Sequence, residues 1–177
     1  MRSMRIDRAL IGQRIIIRNY EKPDLTFLTG MWLDEENGKY LSDPVAAYVD
    51  EVYQSALDTL GESKLGYYLV IALVDTMEPI GSFCFFPDED KRVYDIGYCI
   101  HKTYWKRGFG SEAIALVLGW LTEQGAEKVT AEVAVDNVAS NALLRKFGFA
   151  VEKKAAFKKY HMDVRFDSNI YSKMLRP

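Results

Sequence analysis

Residues 94–111 constrain the fold of this chain more than any other stretch of its 177 residues. Val93–Ile100 alternates apolar side chains with small or polar ones, at the period of two that is typical of a strand. A short loop and a glycine-rich turn, Gly108-Phe109-Gly110-Ser111, follow. After the turn, apolar residues recur at helical spacing, at Ala113, Ile114, Val117, Leu118 and Leu121.

The glycine-rich turn predicts an anion-binding site. The start of a helix leaves backbone N–H groups without partners and forms the positive end of the helix dipole. Glycines allow a bulky anion to approach these groups, and Lys106 and Arg107 add positive charge. We interpret the turn as a pyrophosphate cradle, although a tight turn without a ligand would show the same pattern. The G-K-[ST] ending of a P-loop is absent, and Ala113 stands where the dinucleotide fingerprint has its third glycine.

A second motif, at residues 136–149, follows another strand-like run at 129–135. With the first motif it resembles the GCN5-related N-acetyltransferase (GNAT) superfamily, and in particular its ribosomal-protein alanine acetyltransferase-like (RimJ/RimL-type) branch. The resemblance lies in Asp95-Ile96-Gly97-Tyr98, in residues 105–113 and in residues 137–149. Residues 14–18 resemble the opening strand of the branch. The chain departs from it in having Asp95 for glutamate and Lys102 for proline.

The resemblance implies an α+β (mixed α/β) fold in a single domain, residues 1–177, with residues 1–12 as a loosely held lead-in. It implies a mostly antiparallel, twisted, seven-stranded sheet flanked by about four helices. The strands at 94–100 and 129–135 are joined through a helix, so we expect them to be parallel with a right-handed crossover. In the family this central pair is splayed, and acetyl-CoA lies between its strands.

Residues 43–61 predict a second long helix before the sheet. Asp43 is suited to cap it and Pro44 to occupy its first position, while apolar residues recur at steps of three and four up to Gly61. Four aromatic residues cluster in this part of the chain. They either pack against the sheet or form a wall of the acceptor pocket, and they are Trp32, Tyr40, Tyr48 and Tyr53.

The binding residues for acetyl-CoA follow from the resemblance. The backbone of Ile100 would contact the pantetheine arm, and Asn137 would bond the same arm from the end of the other strand. The pyrophosphate would be held by Lys106, Arg107, Gly108, Phe109, Gly110 and Ser111.

Three residues are candidates for proton transfer, two carboxylates and one hydroxyl. Asp95 shares a strand face with Gly97, whose missing side chain would leave room for the thioester, so we expect Asp95 to be the general base. Glu132 is the alternative base, and each carboxylate could instead be a solvated surface group. The resemblance offers Ser140 as the proton donor to the leaving thiolate, although it could simply be a residue of the first helical turn. We expect Tyr98 to pack in the core.

Composition narrows the partners. A net charge of −2 gives no reason to expect nucleic acid, and the longest apolar run, residues 67–74, suits a strand rather than a membrane span. The N-terminus lacks the apolar core of a signal peptide, so we expect a cytoplasmic protein. Cys84 and Cys99 are expected to be buried and reduced, and with His101 and His161 they show no metal-ligand spacing. A monomer and a homodimer are both compatible with the sequence.

The sequence therefore predicts an acetyl-CoA-dependent N-acetyltransferase with no metal. Its acceptor would be a primary amine, either a small molecule or a protein N-terminus. Polyamines, aminoglycosides and small amine metabolites are all compatible with the motifs, because fold and cofactor motifs do not fix the acceptor. The alternative is a non-catalytic acyl-CoA-binding or regulatory module.

Overall fold

The computed structural model describes residues 3–175, which form eight strands and four α-helices. The strands are β1 (Leu10–Ile11), β2 (Ile15–Asn19), β3 (Tyr67–Leu73), β4 (Pro79–Pro87), β5 (Val93–Ile100), β6 (Lys128–Ala134), β7 (Ala150–Lys158) and β8 (Arg165–Met174). They make one sheet in the order β1-β2-β3-β4-β5-β6-β8-β7. The helices are α1 (Leu25–Trp32), α2 (Glu51–Asp58), α3 (Phe109–Glu123) and α4 (Val138–Lys146).

The central pair, β5 and β6, is parallel, and the other neighbouring strands are antiparallel. Pairing between β5 and β6 covers three positions, from Val93 opposite Lys128 to Asp95 opposite Thr130. Beyond Asp95, β5 stays paired with β4 as far as Ile100, and β6 stays paired with β8 as far as Ala134. The two strands therefore separate, which confirms the predicted splayed parallel pair.

Helix α3 packs over this pair on the face that carries Tyr94 and Ile96. Its buried face includes Ile114, Val117 and Leu121, each with no measurable exposure. Burial of such large apolar side chains contributes about 1.5–3 kcal/mol each, which fixes the helix against the sheet. The N-terminus of α3 is thereby held beside the end of β5.

The N-terminal segment is better ordered than the sequence predicted. Leu10–Ile11 pairs with β2 as an eighth strand, where seven were expected. Ile6 and Leu10 are only 4% and 5% exposed and belong to the main core. The expectation of a loosely held lead-in is therefore wrong for this part of the segment, because its apolar side chains are buried under the sheet edge.

The predicted helix at residues 43–61 is also wrong in extent. A short 3₁₀ segment, Ala46–Tyr48, is followed by extended backbone at Val49, and α2 begins only after Asp50. The Asp50 carboxylate accepts a hydrogen bond from the Tyr53 backbone N–H at 2.8 Å, which makes Asp50 the N-cap. Asp43, the expected cap, instead accepts a hydrogen bond from the Tyr53 hydroxyl.

No helix within residues 3–175 is long and apolar enough to cross a membrane.

Candidate active site

A cleft of about 590 Å³ opens where β5 and β6 separate. Its walls are the end of β5, the turn into α3, the first turns of α4, and residues 36–41 from the loop after α1. Most of the predicted site residues line it, namely Ile100, Lys106, Gly108, Phe109, Gly110, Ser111, Asn137 and Ser140. Asp95 and Arg107 are not among the lining residues.

The backbone of β5 presents polar groups to the cleft. Antiparallel pairs alternate between bonded and non-bonded positions, and the His101 N–H bonds the Ile80 carbonyl of β4 at 2.8 Å. By that alternation, the N–H and C=O groups of Tyr98 and Ile100 point away from β4, toward the space that β6 has left. The Ile100 carbonyl already accepts from the Trp105 indole N–H at 2.7 Å. Its N–H and both groups of Tyr98 remain directed at the cleft.

The first turn of α3 closes one end of the cleft. Gly108 is its N-cap with φ of +80°, a conformation in which residues other than glycine are strained. The N–H groups of the next three residues are the first of the helix and have no acceptor in the preceding turn. The Lys146 Nζ donates to the Ser111 hydroxyl at 3.2 Å, so a second cation stands beside this turn together with Lys106.

Arg14, the residue before β2, contacts the same turn and stabilises its conformation. Its guanidinium donates to the Arg107 carbonyl at 2.8 Å, forms an ion pair with Glu112 at 2.9 Å, and lies 4.3 Å above the Phe109 ring. The negative charge of Glu112 in the first helical turn is therefore paired with Arg14. The Arg107 side chain lies over the rings of Tyr104 and Phe109 at 5.3 and 5.5 Å.

Helix α4 places Ser140 opposite the end of β5. The Asn137 side-chain oxygen caps this helix by accepting from the Ser140 N–H at 3.3 Å. The Ser140 hydroxyl lies 2.7 Å from the Tyr98 hydroxyl across the cleft. Burial raises the pKa of Tyr98 to about 12, so its phenol stays protonated at neutral pH. Tyr98 thus packs against the core, as expected, but also contributes its hydroxyl to the site.

Buried Asn141 fixes the position of α4. Its amide donates to the Ala134 and Asn137 carbonyls at 2.9 and 2.8 Å. Its oxygen accepts from the Tyr171 hydroxyl at 2.6 Å and from the Asn169 amide at 2.9 Å. A fully bonded polar network of this kind ties the helix to β6 and β8 in one orientation.

Asp95 lies on the opposite face of β5, at the last residue pair before the strands separate. It accepts from the Thr130 hydroxyl at 2.7 Å and is exposed to solvent. Lost hydration among the surrounding strand atoms raises the pKa of Asp95; the Thr130 hydrogen bond opposes this rise and the charge of Glu132 adds to it. Glu132 is itself bonded by Ser168 at 2.6 Å. At Gly97, the next residue on this face, a Cβ would lie 3.2 Å from the Cys84 sulfur.

The loop after α1 supplies the remaining wall, and Tyr40, one of the four aromatic residues offered as a possible pocket wall, lines the cleft there. The role of Asn37 in this loop was not predicted from the sequence. Asn37, only 8% exposed, donates to the Ile100 carbonyl at 3.2 Å and accepts from the Lys102 N–H at 2.6 Å. This side chain ties the loop to the cleft end of β5. A polar residue in a polar loop gives no sequence signal of such burial, because the contact joins residues 63 positions apart.

The family model for the acetyltransferase (GNAT) domain matches residues 14–150. The chain therefore belongs to this family, and it is an N-acetyltransferase. Among the residues that the structure describes, no group of three or more His, Cys, Asp or Glu side chains could hold a metal ion.

Individual relatives agree with the family. An uncharacterized N-acetyltransferase of Bacillus subtilis, YoaA, is 29% identical over 163 residues, covering 90% of this chain and 92% of YoaA. The spermidine N-acetyltransferase of Vibrio cholerae, solved with CoA and spermine, has a TM-score of 0.78 at 17% identity and covers 93% of this chain and 97% of its own. An acetyltransferase of Salmonella typhimurium that modifies the N-terminal serine of ribosomal protein L7/L12 has a TM-score of 0.76 at 17% identity, covering 94% and 99%. These two structures establish likeness of fold alone.

Proposed function

We propose that this N-acetyltransferase binds acetyl-CoA in the gap between β5 and β6 and transfers its acetyl group directly to a primary amine. One observation carries the proposal: the gap runs from the Ile100 N–H and the backbone groups of Tyr98, which are directed into it, to the N-terminus of α3. The two amides of a pantetheine arm can form hydrogen bonds with the β5 backbone groups, and a pyrophosphate can bind at the N-terminus of α3.

The pyrophosphate would lie on the first turn of α3. Gly108 supplies the backbone conformation, and the N–H groups of Phe109, Gly110 and Ser111 donate toward the anion. Lys106 and Lys146 stand at the mouth of the turn and balance the charge. Arg107 acts through its carbonyl, which Arg14 holds, and its side chain stays in reach of solvent. On the opposite wall, the Asn137 amide nitrogen would donate to the pantetheine arm.

Asp95 would serve as the general base. An amine with a pKa of about 10.4 is neutral in only about one molecule in a few thousand at pH 7, and only the neutral form attacks a thioester. A raised carboxyl pKa brings Asp95 closer to the range in which a base works well. Gly97 lies about 7 Å further along the strand, so the short Asp95 side chain would act through a water molecule. Glu132, held by Ser168, is the second candidate.

Ser140 would donate the proton that the leaving thiolate takes up. When Tyr98 donates to the Ser140 oxygen, the hydrogen of Ser140 is free to point into the cleft. The raised pKa of Tyr98 keeps its hydroxyl protonated and therefore able to donate at neutral pH. Acetyl-CoA supplies the activated acetyl group. In this proposal Asp95 removes a proton from the amine, and Ser140 donates a proton to the leaving thiolate.

We propose four classes of acceptor: a protein N-terminus, a polyamine, an aminoglycoside and a small amine. The motifs at residues 95–98 and 137–149, with the fold likeness to the Salmonella enzyme, support the ribosomal-protein alanine acetyltransferase-like branch. The fold likeness to the Vibrio enzyme supports a polyamine equally well. An α-amine, with a pKa of about 7.7–8.0, needs less help from a base than a polyamine does.

The test is release of free thiol from acetyl-CoA in the presence of an amine panel. The panel contains spermine, peptides beginning with serine and with alanine, an aminoglycoside, and small primary amines. We expect amine-dependent thiol release with at least one of them, and mass spectrometry identifies the acetylated product. Binding of acetyl-CoA without amine-dependent release from any class would contradict the proposed transfer.

A further inference from the structure

One wall of the cleft is formed by a loop that is held at two points, and under the proposed function we assign this wall to the amine acceptor. Residues 36–41 line the cleft between α1 and the 3₁₀ segment. One tie is Asn37, bonded to β5 at Ile100 and Lys102. The other is Lys159, which belongs to the turn between β7 and β8, more than a hundred residues away in sequence.

Lys159 is only 6% exposed, which is rare for a lysine. Its Nζ donates to the carbonyls of Gly38, Leu41 and Asp43 at 2.8, 2.9 and 2.9 Å. An ammonium group has three N–H donors, so all of them are used on the loop. Burial lowers the pKa of Lys159 while the charge of Asp43 opposes the shift.

The turn that carries Lys159 is itself held. The Tyr160 N–H donates to the Ser42 carbonyl at 2.8 Å, which adds a fourth bond between turn and loop. The Tyr160 hydroxyl lies 3.2 Å from both carboxylate oxygens of Asp50, the N-cap of α2, and His161 lies 3.0 Å from the same carboxylate. The turn therefore anchors the loop to the rest of the fold.

We propose that Lys159 is a positioning residue for the amine acceptor: its buried ammonium gathers three carbonyls and thereby fixes the wall at residues 36–43. The expected effect on acceptor kinetics rests on the proposed function, whereas the expected effect on the loop does not. The pyrophosphate end of the cleft, at the start of α3, receives no contact from the Lys159 ammonium, whose three donors are all committed to the loop. Acceptor binding should therefore depend on Lys159, and acetyl-CoA binding should not.

The first test is hydrogen exchange on Lys159→Met. Methionine has a similar length but no donor, so each of the three carbonyls loses a hydrogen bond and the loop loosens. We expect amides in residues 36–43 to exchange at least about tenfold faster, with strand β5 unchanged. Lys158→Met is the matched control, because Lys158 is 62% exposed in its side chain and lies 4.0 Å from Asp163. If Lys159→Met does not fold, Lys159→Gln, which keeps two donors, should show a smaller increase in the same residues.

The second test separates positioning from a merely structural role. Titration with CoA should give dissociation constants within about twofold for wild type, Lys159→Met and Lys158→Met. With the panel amine that the wild type acetylates fastest, Lys159→Met should raise the KM for the amine at least about tenfold while the KM for acetyl-CoA stays within twofold. Unchanged exchange at residues 36–43, or equal losses on both sides of the cleft, would overturn the proposal. The exchange result stands even if no amine is acetylated, so the two proposals can fail separately.

Discussion

Tyr98 and Ser140 offer the sharpest test of the proposed chemistry, because one hydrogen bond of 2.7 Å joins them across the cleft. Ser140→Ala removes the proposed donor. Tyr98→Phe removes only the hydroxyl that would orient it and leaves the ring packed. If Tyr98 acts through Ser140, the double variant should be no slower than Ser140→Ala alone.

The size of each effect can be worked out in advance. A thiol with a pKa of about 8.5 lies about 1.5 units above pH 7, so protonating the leaving group is worth at most about 2 kcal/mol, or roughly thirtyfold in kcat. The Tyr98 hydrogen bond should be worth about 0.5–1.5 kcal/mol, or roughly 2- to 13-fold. The coupling energy in the double-mutant cycle should therefore equal the whole Tyr98 effect.

The assay is steady-state thiol release at saturating acetyl-CoA and amine, with acetyl-CoA affinity measured by calorimetry on the same samples. Tyr94→Phe is the control, because Tyr94 is on the same face of β5, is 2% exposed and does not line the cleft. It should leave kcat within about twofold. Independent, multiplying losses for Tyr98→Phe and Ser140→Ala would refute the orienting role. A loss well above thirtyfold for Ser140→Ala would show that Ser140 does more than donate a proton.

Further predictions concern the base and the cradle. Asp95→Asn should lower kcat about 10²- to 10⁴-fold with acetyl-CoA affinity unchanged, and the loss should shrink as rising pH deprotonates the amine; a defect independent of pH would transfer the role to Glu132. Because the folded state raises the pKa of Asp95, its carboxylate destabilises the fold once ionised. The same variant should therefore melt at a higher temperature near pH 7, and it should lose that gain as the pH falls from the raised pKa of Asp95 to the ordinary value of 3.8. Gly108→Val should weaken acetyl-CoA binding at least about a hundredfold, as measured by calorimetry. Valine is strained at a φ of +80°, and two or three charge-assisted contacts of about 1.5–3 kcal/mol each depend on the conformation of this turn. Gly110→Val should weaken binding comparably because its side chain obstructs the anion. Backbone strain does not contribute here, since φ of Gly110 is not positive, and the new Cβ would lie 3.1 Å from Leu143. Gly119→Ala is the control, because a Cβ there meets nothing within 4 Å, and it should bind acetyl-CoA normally. If the three glycine variants bound acetyl-CoA with equal affinity, the phosphates would have to lie elsewhere. Acetyl-CoA at 100 times its dissociation constant should add about 2.7 kcal/mol, which is roughly 5–10 °C in Tm by scanning fluorimetry, whereas NAD and ATP should add far less.

The sequence by itself determined the elements around the site. The strand Val93–Ile100 and the glycine-rich turn before α3 both appear where the pattern predicted them. The alternation of a strand, a helix cap and a glycine in a turn depend on residues that are close in sequence, so they can be predicted from the sequence alone. The parallel direction of β5 and β6 also followed from the sequence, because a helical crossover permits it and a hairpin does not.

Only the tertiary structure decided how these elements form a site. The bond between Tyr98 and Ser140 joins residues 42 apart, the brace from Arg14 to the Arg107 carbonyl spans 93, and Lys159 reaches Gly38 across 121. The helix predicted at residues 43–61 failed for the same reason, since Asp43 bonds a side chain of α2 and Asp50 takes the capping role. Buried polar groups must find partners wherever the chain brings them, and those partners are set by packing in three dimensions rather than by spacing along the sequence.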